Sequence, residues 1–373
     1  MISGVPIASE LFLLVAVAIA LVICGNADII GERLRVVAYP DSQRKRHDHP
    51  TPQVGGIAIL LGLVVFLGSL YLFDRSADQP LLRAILLCAA GLGVVGFEDD
   101  QNETSPISRI LLLLVFMGVA FVIEPQFITL KLNWGSFIPP PIPFWACMLV
   151  MGVAVVGFVN AVNMADGQNG VAGSMYVVWS GCLLFVTSGT SQQIAGVLFV
   201  LSLVFLVFNL RGKLFLGDCG SYGVTFVLGL LVLLAHARGE VSLETVIVWF
   251  FIPVADCIRL LVSRPLRGVS PFMGDRDHFH HRLEDKLGKN QGLATYAVAI
   301  GASSLIATLD PRFALVCLCA LSAFYFSFAW LSDATTVSVS QPELESDKAA
   351  AAADNVVPLT GDGAGDRRRQ GTL

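Results

Sequence analysis

The sequence predicts an all-α polytopic membrane protein with about eleven transmembrane helices. Three observations carry that prediction. Of 373 residues, 55% are hydrophobic and only 14% charged, where a soluble globular domain carries about 25% charged residues. The mean hydropathy is +0.71. The apolar residues are gathered into long runs, and Lys and Arg are distributed unequally between the connections that separate those runs.

Crossing about 30 Å of hydrocarbon takes roughly 20 mostly apolar residues. Candidate spans cover residues 7–24, 55–73, 81–97, 107–123, 144–162, 171–188, 194–208, 222–236, 241–262, 293–307 and 313–331. The first lacks a basic flank and a small-residue cleavage site, which predicts a retained helix rather than a removed signal peptide. Pro253 predicts a kink in the ninth span. Asp256 and Arg259 are spaced i, i+3 there and can pair, reducing each other's cost of burial. Between the fourth and fifth spans, Thr129-Leu130-Lys131-Leu132 alternates before a run of prolines, predicting a short external hairpin and loop. The segment 1–331 reads as the integral membrane domain. Residues 332–373 are rich in Ala, Ser, Asp and Gly and end in Arg367-Arg368-Arg369, which predicts a disordered tail. The eight cysteines sit mostly inside apolar runs without zinc-ligand company, as small packing residues do.

Odd-numbered connections hold fourteen Lys and Arg, from Arg33 to Lys289, and even-numbered ones hold five: Arg75, Arg83, Lys131, Arg238 and Arg312. By the positive-inside rule the odd connections and the C-terminus are cytoplasmic and the N-terminus lies outside. The polar, Gly-rich and His-rich segments all fall on that same side. A transporter more often places broken helices and charge near the bilayer midplane. One-sided polarity fits an enzyme that draws a soluble substrate from the cytoplasm.

Five segments carry chemistry. The first reads Arg44-Lys45-Arg46-His47-Asp48-His49-Pro50-Thr51-Pro52-Gln53-Val54-Gly55-Gly56. Cations such as Lys45 near a Pro-Gly helix start suit phosphate, although topology alone explains basic residues here. The second, Glu98-Asp99-Asp100-Gln101-Asn102-Glu103, ends an apolar run in carboxylates. Ionisable groups at such positions are costly and mark function. Hard carboxylate oxygens suit Mg²⁺ shared with substrate phosphates, and Arg109 lies just inside the next helix. The third, Asn160-Ala161-Val162-Asn163-Met164-Ala165-Asp166-Gly167-Gln168-Asn169-Gly170, puts Asn163 and Asp166 three apart, on one helical face, before glycines that admit a ligand to the backbone. The fourth, Phe208-Asn209-Leu210-Arg211-Gly212-Lys213-Leu214-Phe215-Leu216-Gly217-Asp218-Cys219-Gly220-Ser221, offers Asp218 as a second Mg²⁺ ligand, Arg211 or Lys213 for phosphate, and Phe215 as a stacking surface or a lipid-facing side chain. The fifth, Arg264-Pro265-Leu266-Arg267-Gly268-Val269-Ser270-Pro271-Phe272-Met273-Gly274-Asp275-Arg276-Asp277-His278-Phe279-His280-His281-Arg282-Leu283, holds three of the six histidines and four arginines. Zinc ligation is open to it, but imidazoles beside arginines favour an anion or sugar hydroxyls.

In this order, from about Arg33 to Leu283, these segments resemble the polyprenyl-phosphate N-acetylhexosamine-1-phosphate transferase superfamily, glycosyltransferase family 4, in its undecaprenyl-phosphate GlcNAc-1-phosphate branch. The resemblance implies ten or eleven spans, a cytoplasmic site, Mg²⁺ with Mn²⁺ as a substitute, and transfer of a sugar-1-phosphate from a UDP-N-acetylhexosamine to undecaprenyl phosphate with release of UMP. It implies catalytic roles for Asp99 and Asp100, and metal ligation by Asn163 and Asp218. Phe215, Asn169 and Asp166 would bind the nucleotide. Lys45, His47, Arg109, Arg276, His278, His280 and His281 would bind phosphate or sugar. It also implies the bacterial inner membrane, membrane lipid as surroundings and no nucleic acid, and leaves a homodimer open. Asn169 stands where the peptidoglycan branch carries an aspartate, which disfavours a MurNAc-pentapeptide donor. Glu103 stands where an aspartate often follows the acidic pair. Asp166-Gly167 lacks the pattern that follows in CDP-alcohol phosphatidyltransferases. A peptidoglycan phospho-MurNAc-pentapeptide transferase and a membrane transporter remain the alternatives.

Overall fold

In a computed structural model the chain is almost entirely helical, and the structure describes residues 7–40, 49–102, 104–132, 142–271 and 276–331. The helices are α1 (Ile7–Gly25), α2 (Ala27–Leu34), α3 (Gly55–Phe73), α4 (Gln79–Asn102), α5 (Pro106–Ile123), α6 (Phe144–Ala165), α7 (Val171–Val186), α8 (Gly189–Leu210), α9 (Gly217–Arg238), α10 (Leu243–Leu266), α11 (Phe279–Leu287), α12 (Lys289–Leu309) and α13 (Ala314–Leu331). Strands β1 (Val37–Ala38) and β2 (Thr51–Pro52) pair antiparallel, with Val37 opposite Pro52 and Ala38 opposite Thr51. Two compact units divide the chain, Met1–Tyr325 and Phe326–Leu373, and every site residue discussed below belongs to the first. The tail 332–373 lies outside the described residues.

Each of the eleven expected spans corresponds to a helix, but not each is a full crossing. Among the described residues nine helices are long and apolar enough to cross a membrane, and a tenth arises if α1 and α2, bent by 80°, count as one span. Helix α7, at 16 residues, falls short. Several helices outrun their apolar runs: α4 continues through Asp99 and Asp100, α6 through Asn163, and α9 starts before Asp218. Neighbouring protein satisfies the polar groups in these end turns, so hydropathy alone stops too early. The expected external hairpin is absent from its described part. Residues 129–132 form no strand, and 133–141 lie outside the described residues. All eight cysteines are free, and seven are buried.

Helix α9 is the axis of the first unit. Every residue from Cys219 to His236 is buried, as is Gly217. Its glycines permit this enclosure. A Cβ on Gly56 of α3 would lie 2.1 Å from the Gly220 nitrogen, and one on Gly96 of α4 would lie 2.4 Å from the Asp218 carbonyl oxygen. Backbone therefore meets backbone on two sides of the start of α9. The Gly55-Gly56 pair is explained by this contact and by two hydrogen bonds: Gly55 N–H donates to Phe215 O (2.9 Å) and Gly56 N–H to Leu216 O (2.7 Å). At the far end of α9, Arg238 pairs with Asp78 at 2.7 Å, and Lys131 N–H donates to His236 Nε2 at 3.1 Å. Those partners come from the even-numbered connections. The ends carrying the third, fifth and seventh connections meet at the start of α9.

Candidate active site

The first turn of α9 presents backbone N–H groups that no residue of the helix can accept. Asp100, in the last turn of α4, accepts two of them: Asp218 N–H on Oδ1 (2.8 Å) and Cys219 N–H on Oδ2 (3.0 Å). A carboxylate at a helix N-terminus also meets the positive end of the helix dipole. Gln53 Nε2 adds a third donor, to Oδ1 at 3.0 Å. Gly217, at φ +74°, makes this approach possible, since a Cβ there would lie 2.7 Å from Asp100 Oδ2.

Asp99 is differently placed. It is 2% exposed. Thr104 N–H and Thr104 Oγ1 donate to its Oδ1 (2.6 and 2.9 Å), Tyr222 O–H donates to Oδ2 (2.8 Å), and Arg109 Nε pairs with Oδ2 at 2.9 Å. Its lone pairs are occupied and the carboxylate is closed off. Arg109 also donates to Thr104 O at 3.0 Å, so its guanidinium is tied to the Asp99 corner.

Asn163, in the last turn of α6, reaches across to α9. Its Nδ2 donates to Asp218 Oδ1 at 2.6 Å and to Ser221 Oγ at 2.8 Å. Asp166 follows just after α6. Burial, with the charges of Asp218 and Asp100 next in weight, holds its carboxyl well above the usual range. Asp100, Asp166 and Asp218 thus crowd negative charge at one place, and the carboxylate of Asp99 adjoins that of Asp218.

The histidine segment closes on this cluster through Gly167. A Cβ on Gly167 would lie 2.7 Å from His280 Nε2 and 3.2 Å from His281 Nε2. His280 is buried, and its Nε2 has no hydrogen-bond partner; Gln168 Nε2, in the adjoining loop, is likewise buried and unpartnered. Burial first, then the neighbouring His281 and His278, hold the His280 pKa well below its ordinary value. His281 is lowered to about 4, by burial and then Arg276, against a hydrogen bond to Glu284. His278 serves differently: its Nδ1 donates to Asp256 Oδ2 on α10 at 3.2 Å, and Phe279 N–H donates to the same oxygen at 3.1 Å. Asp256 Oδ1 accepts from Arg259 Nη2 (2.8 Å) and Tyr325 O–H (3.1 Å). The i, i+3 pair expected in the ninth span is therefore present, and it latches α11 to α10.

The arginines expected to face an anion are largely engaged. Asp277 gathers Arg259, Arg267 and Arg282, and Arg276 pairs with Glu284 at 3.2 Å. Asn169 accepts from Asn209 Nδ2 at 3.5 Å, while Phe215 is half-buried and its N–H donates to Pro52 O at 2.8 Å. Lys45, His47 and Glu103 lie outside the described residues.

The glycosyl transferase family 4 profile matches residues 82–236, which hold both aspartates of α4, the Asn163–Asn169 segment and Asp218. Undecaprenyl-phosphate alpha-N-acetylglucosaminyl 1-phosphate transferase of Salmonella typhi is 31% identical over 257 residues, 64% of this chain and 66% of the relative. Over those residues the chain is similar to glycosyl transferase family 4. Decaprenyl-phosphate N-acetylglucosaminephosphotransferase of Mycobacterium leprae is 29% identical over 324 residues, 75% of this chain and 78% of its own length. The Escherichia coli K12 protein, named as the Salmonella one is, is 27% identical over 267 residues, 68% and 70% of the two chains. The match to the Salmonella relative spans just under two thirds of that protein's length.

Several residues of the site were not singled out as site residues by the sequence. Asn209 receives the Gly170 N–H on Oδ1 (2.6 Å) and donates to Leu214 O (2.9 Å), joining the two loops that hold Asn169 and Phe215. A polar residue near the end of an apolar run was the one sign of it. Tyr222, Thr104 and Gln53 reach the acidic pair only through the fold.

Proposed function

We propose that the chain transfers N-acetylglucosamine 1-phosphate from a UDP-sugar to a polyprenyl phosphate, in the first step of a cell-envelope glycan at the bacterial inner membrane. One observation carries this reading. Asp100, Asn163, Asp166 and Asp218 converge on the start of a buried helix, and the unpartnered His280 faces the Gly167 loop beside them. The names of the relatives support the sugar and the polyprenyl acceptor. Asn169, in place of an aspartate, weighs against a MurNAc-pentapeptide donor.

In the reaction, an oxygen of the polyprenyl phosphate attacks the β-phosphorus of the UDP-sugar. The bond from that phosphorus to the bridging oxygen breaks, and UMP leaves with that oxygen. Such transfers depend on alignment and charge stabilisation. Asp100 holds the first turn of α9 in place and so sets the position of Asp218. Asp99 braces Arg109 and Tyr222 behind it. Neutral His280 has a ring nitrogen to offer a phosphate or sugar hydroxyl. Asn169 and Phe215 border the place for the uracil.

The residues present fit Mg²⁺. Three crowded carboxylates form a hard-oxygen set whose charge a divalent cation would relieve, and Asn163 and Asp218 would hold it. Among the described residues no three His, Cys, Asp or Glu side chains are grouped so as to hold an ion by themselves, so substrate phosphates and water would have to complete the shell. When bound, Mg²⁺ would offset the negative charge that develops on the diphosphate. The fourteen-to-five excess of Lys and Arg favours placing this face in the cytoplasm.

The test is a donor panel with purified protein, undecaprenyl phosphate and Mg²⁺, reading UMP. Release with UDP-GlcNAc supports the proposal. Release with the MurNAc-pentapeptide donor alone moves the chain to the peptidoglycan reaction. No UMP from any donor, with substrate crossing sealed vesicles, establishes a transporter.

A further inference from the structure

Gln53 belongs to none of the groups above that would touch substrate, yet it is fixed at both ends. Its backbone N–H donates to Val36 O at 2.8 Å, beside the β1–β2 pair. A Cβ on Gly217 would lie 3.0 Å from its carbonyl oxygen, so its backbone also abuts the start of α9. The flanking residues are stitched to the same stretch: Phe215 N–H donates to Pro52 O (2.8 Å), and Gly55 and Gly56 N–H donate to Phe215 O and Leu216 O. From this anchored position its side chain crosses to α4 and donates Nε2–H to Asp100 Oδ1 at 3.0 Å. Among the described residues it is the one side chain that donates to Asp100; the other two donors are backbone N–H groups of α9.

The chemistry of that donor matters. Asp100 Oδ1 accepts from both Gln53 and the Asp218 N–H, so the amide sets the rotamer in which the carboxylate reaches the helix. Without it, Asp100 has only the two backbone donors, with the carboxylates of Asp218 and Asp99 close by. A neutral amide does this without pairing off the charge that the site needs. We infer that Gln53 is a positioning residue for the transfer reaction: it locks Asp100 onto the first turn of α9, and through that turn it fixes where the Asp218 carboxylate stands. The inference rests on the transferase reading and deepens it.

Three substitutions separate this electrostatic role from simple packing. Gln53→Met keeps length and removes the donor. Gln53→Glu keeps shape and replaces the donor with like charge. Gln53→Lys keeps a donor on a side chain of similar reach. Each would be measured beside wild type for UMP release, for thermal unfolding, and for hydrogen exchange of peptides covering residues 215–222. Wild-type release must be present first; its absence overturns the transferase reading and leaves the exchange experiment to judge Gln53.

Hydrogen bonds to charged groups are worth enough that kcat should fall about 10- to 100-fold in Gln53→Met. Gln53→Glu should fall further, and Gln53→Lys, which keeps a donor but sets a positive charge beside Asp100, should fall less than Gln53→Met. KM for both substrates should change little, because the residue touches neither. The Asp218 and Cys219 amides should exchange about tenfold faster in Gln53→Met, in step with loss of the constraint on their acceptor. A packing role would instead lower the unfolding temperature and give no ranking by charge. The inference is overturned if exchange at 215–222 equals wild type in Gln53→Met, or if Met, Glu and Lys variants lose activity equally.

Discussion

Asp99 and Asp100 are adjacent in sequence and opposite in circumstance. Successive residues of a helix point about 100° apart, so one faces the Thr104–Tyr222–Arg109 corner and the other faces the start of α9. In Asp100→Asn an amide N–H or a single carbonyl must meet two backbone donors that a carboxylate satisfied together. The protein should remain folded while UMP release falls on the order of 100-fold or more; unchanged turnover in a donor assay would refute the role. Asp218→Ala removes the carboxylate that Asn163 steadies. The Mg²⁺ concentration for half-maximal rate should rise about tenfold, and a superimposable Mg²⁺ titration would argue against metal ligation there.

At the scale of elements, the site depends on how closely α3 and α4 approach α9. Gly56→Val would drive a branched side chain into the Gly220 backbone, where a Cβ alone would already lie 2.1 Å from the nitrogen. Overpacking of this kind costs about 1–3 kcal/mol or more, and the variant should unfold at a clearly lower temperature in detergent. Helix α11 makes a pH prediction. His281 faces Arg276, Glu284, His278 and His280, and its pKa is lowered from 6.5 to about 4 in the folded chain. As pH falls the unfolded chain takes the proton first, so the stability associated with the neutral ring is full above about pH 6.5 and is lost progressively toward pH 4. The stability difference between wild type and His281→Asn, followed by thermal unfolding, should shift against wild type across that window. A constant difference from pH 7 to 4 would contradict it.

For the whole molecule, the placement of charge makes orientation testable. Lys213, on the seventh connection, and Ser76, on the second, are both exposed. A membrane-impermeant maleimide should label Lys213→Cys only in inside-out vesicles and Ser76→Cys only in right-side-out ones, over the background of unsubstituted protein. The reverse pattern would put the acid cluster outside the cell and remove its access to a cytoplasmic sugar nucleotide.

The chain's apolar runs, its one-sided Lys and Arg and its five polar segments were enough to determine a many-helix membrane protein and most residues of the acid cluster. Long-range hydrocarbon burial and short motifs are both written locally, so a linear reading recovers them. What only the tertiary structure decided is which polar groups are open. Asp99 looked like the twin of Asp100 until Tyr222, 123 residues away, and Arg109 were seen to occupy it. Gly55-Gly56 read as a helix start beside phosphate-binding cations, and only the fold shows that Gly56 lets α3 cross Gly220 of α9. Gln53, Asn209 and Asp256 acquire their roles from partners on other helices. Hydrogen-bond satisfaction in a buried site depends on three-dimensional neighbours, and sequence spacing carries no record of them.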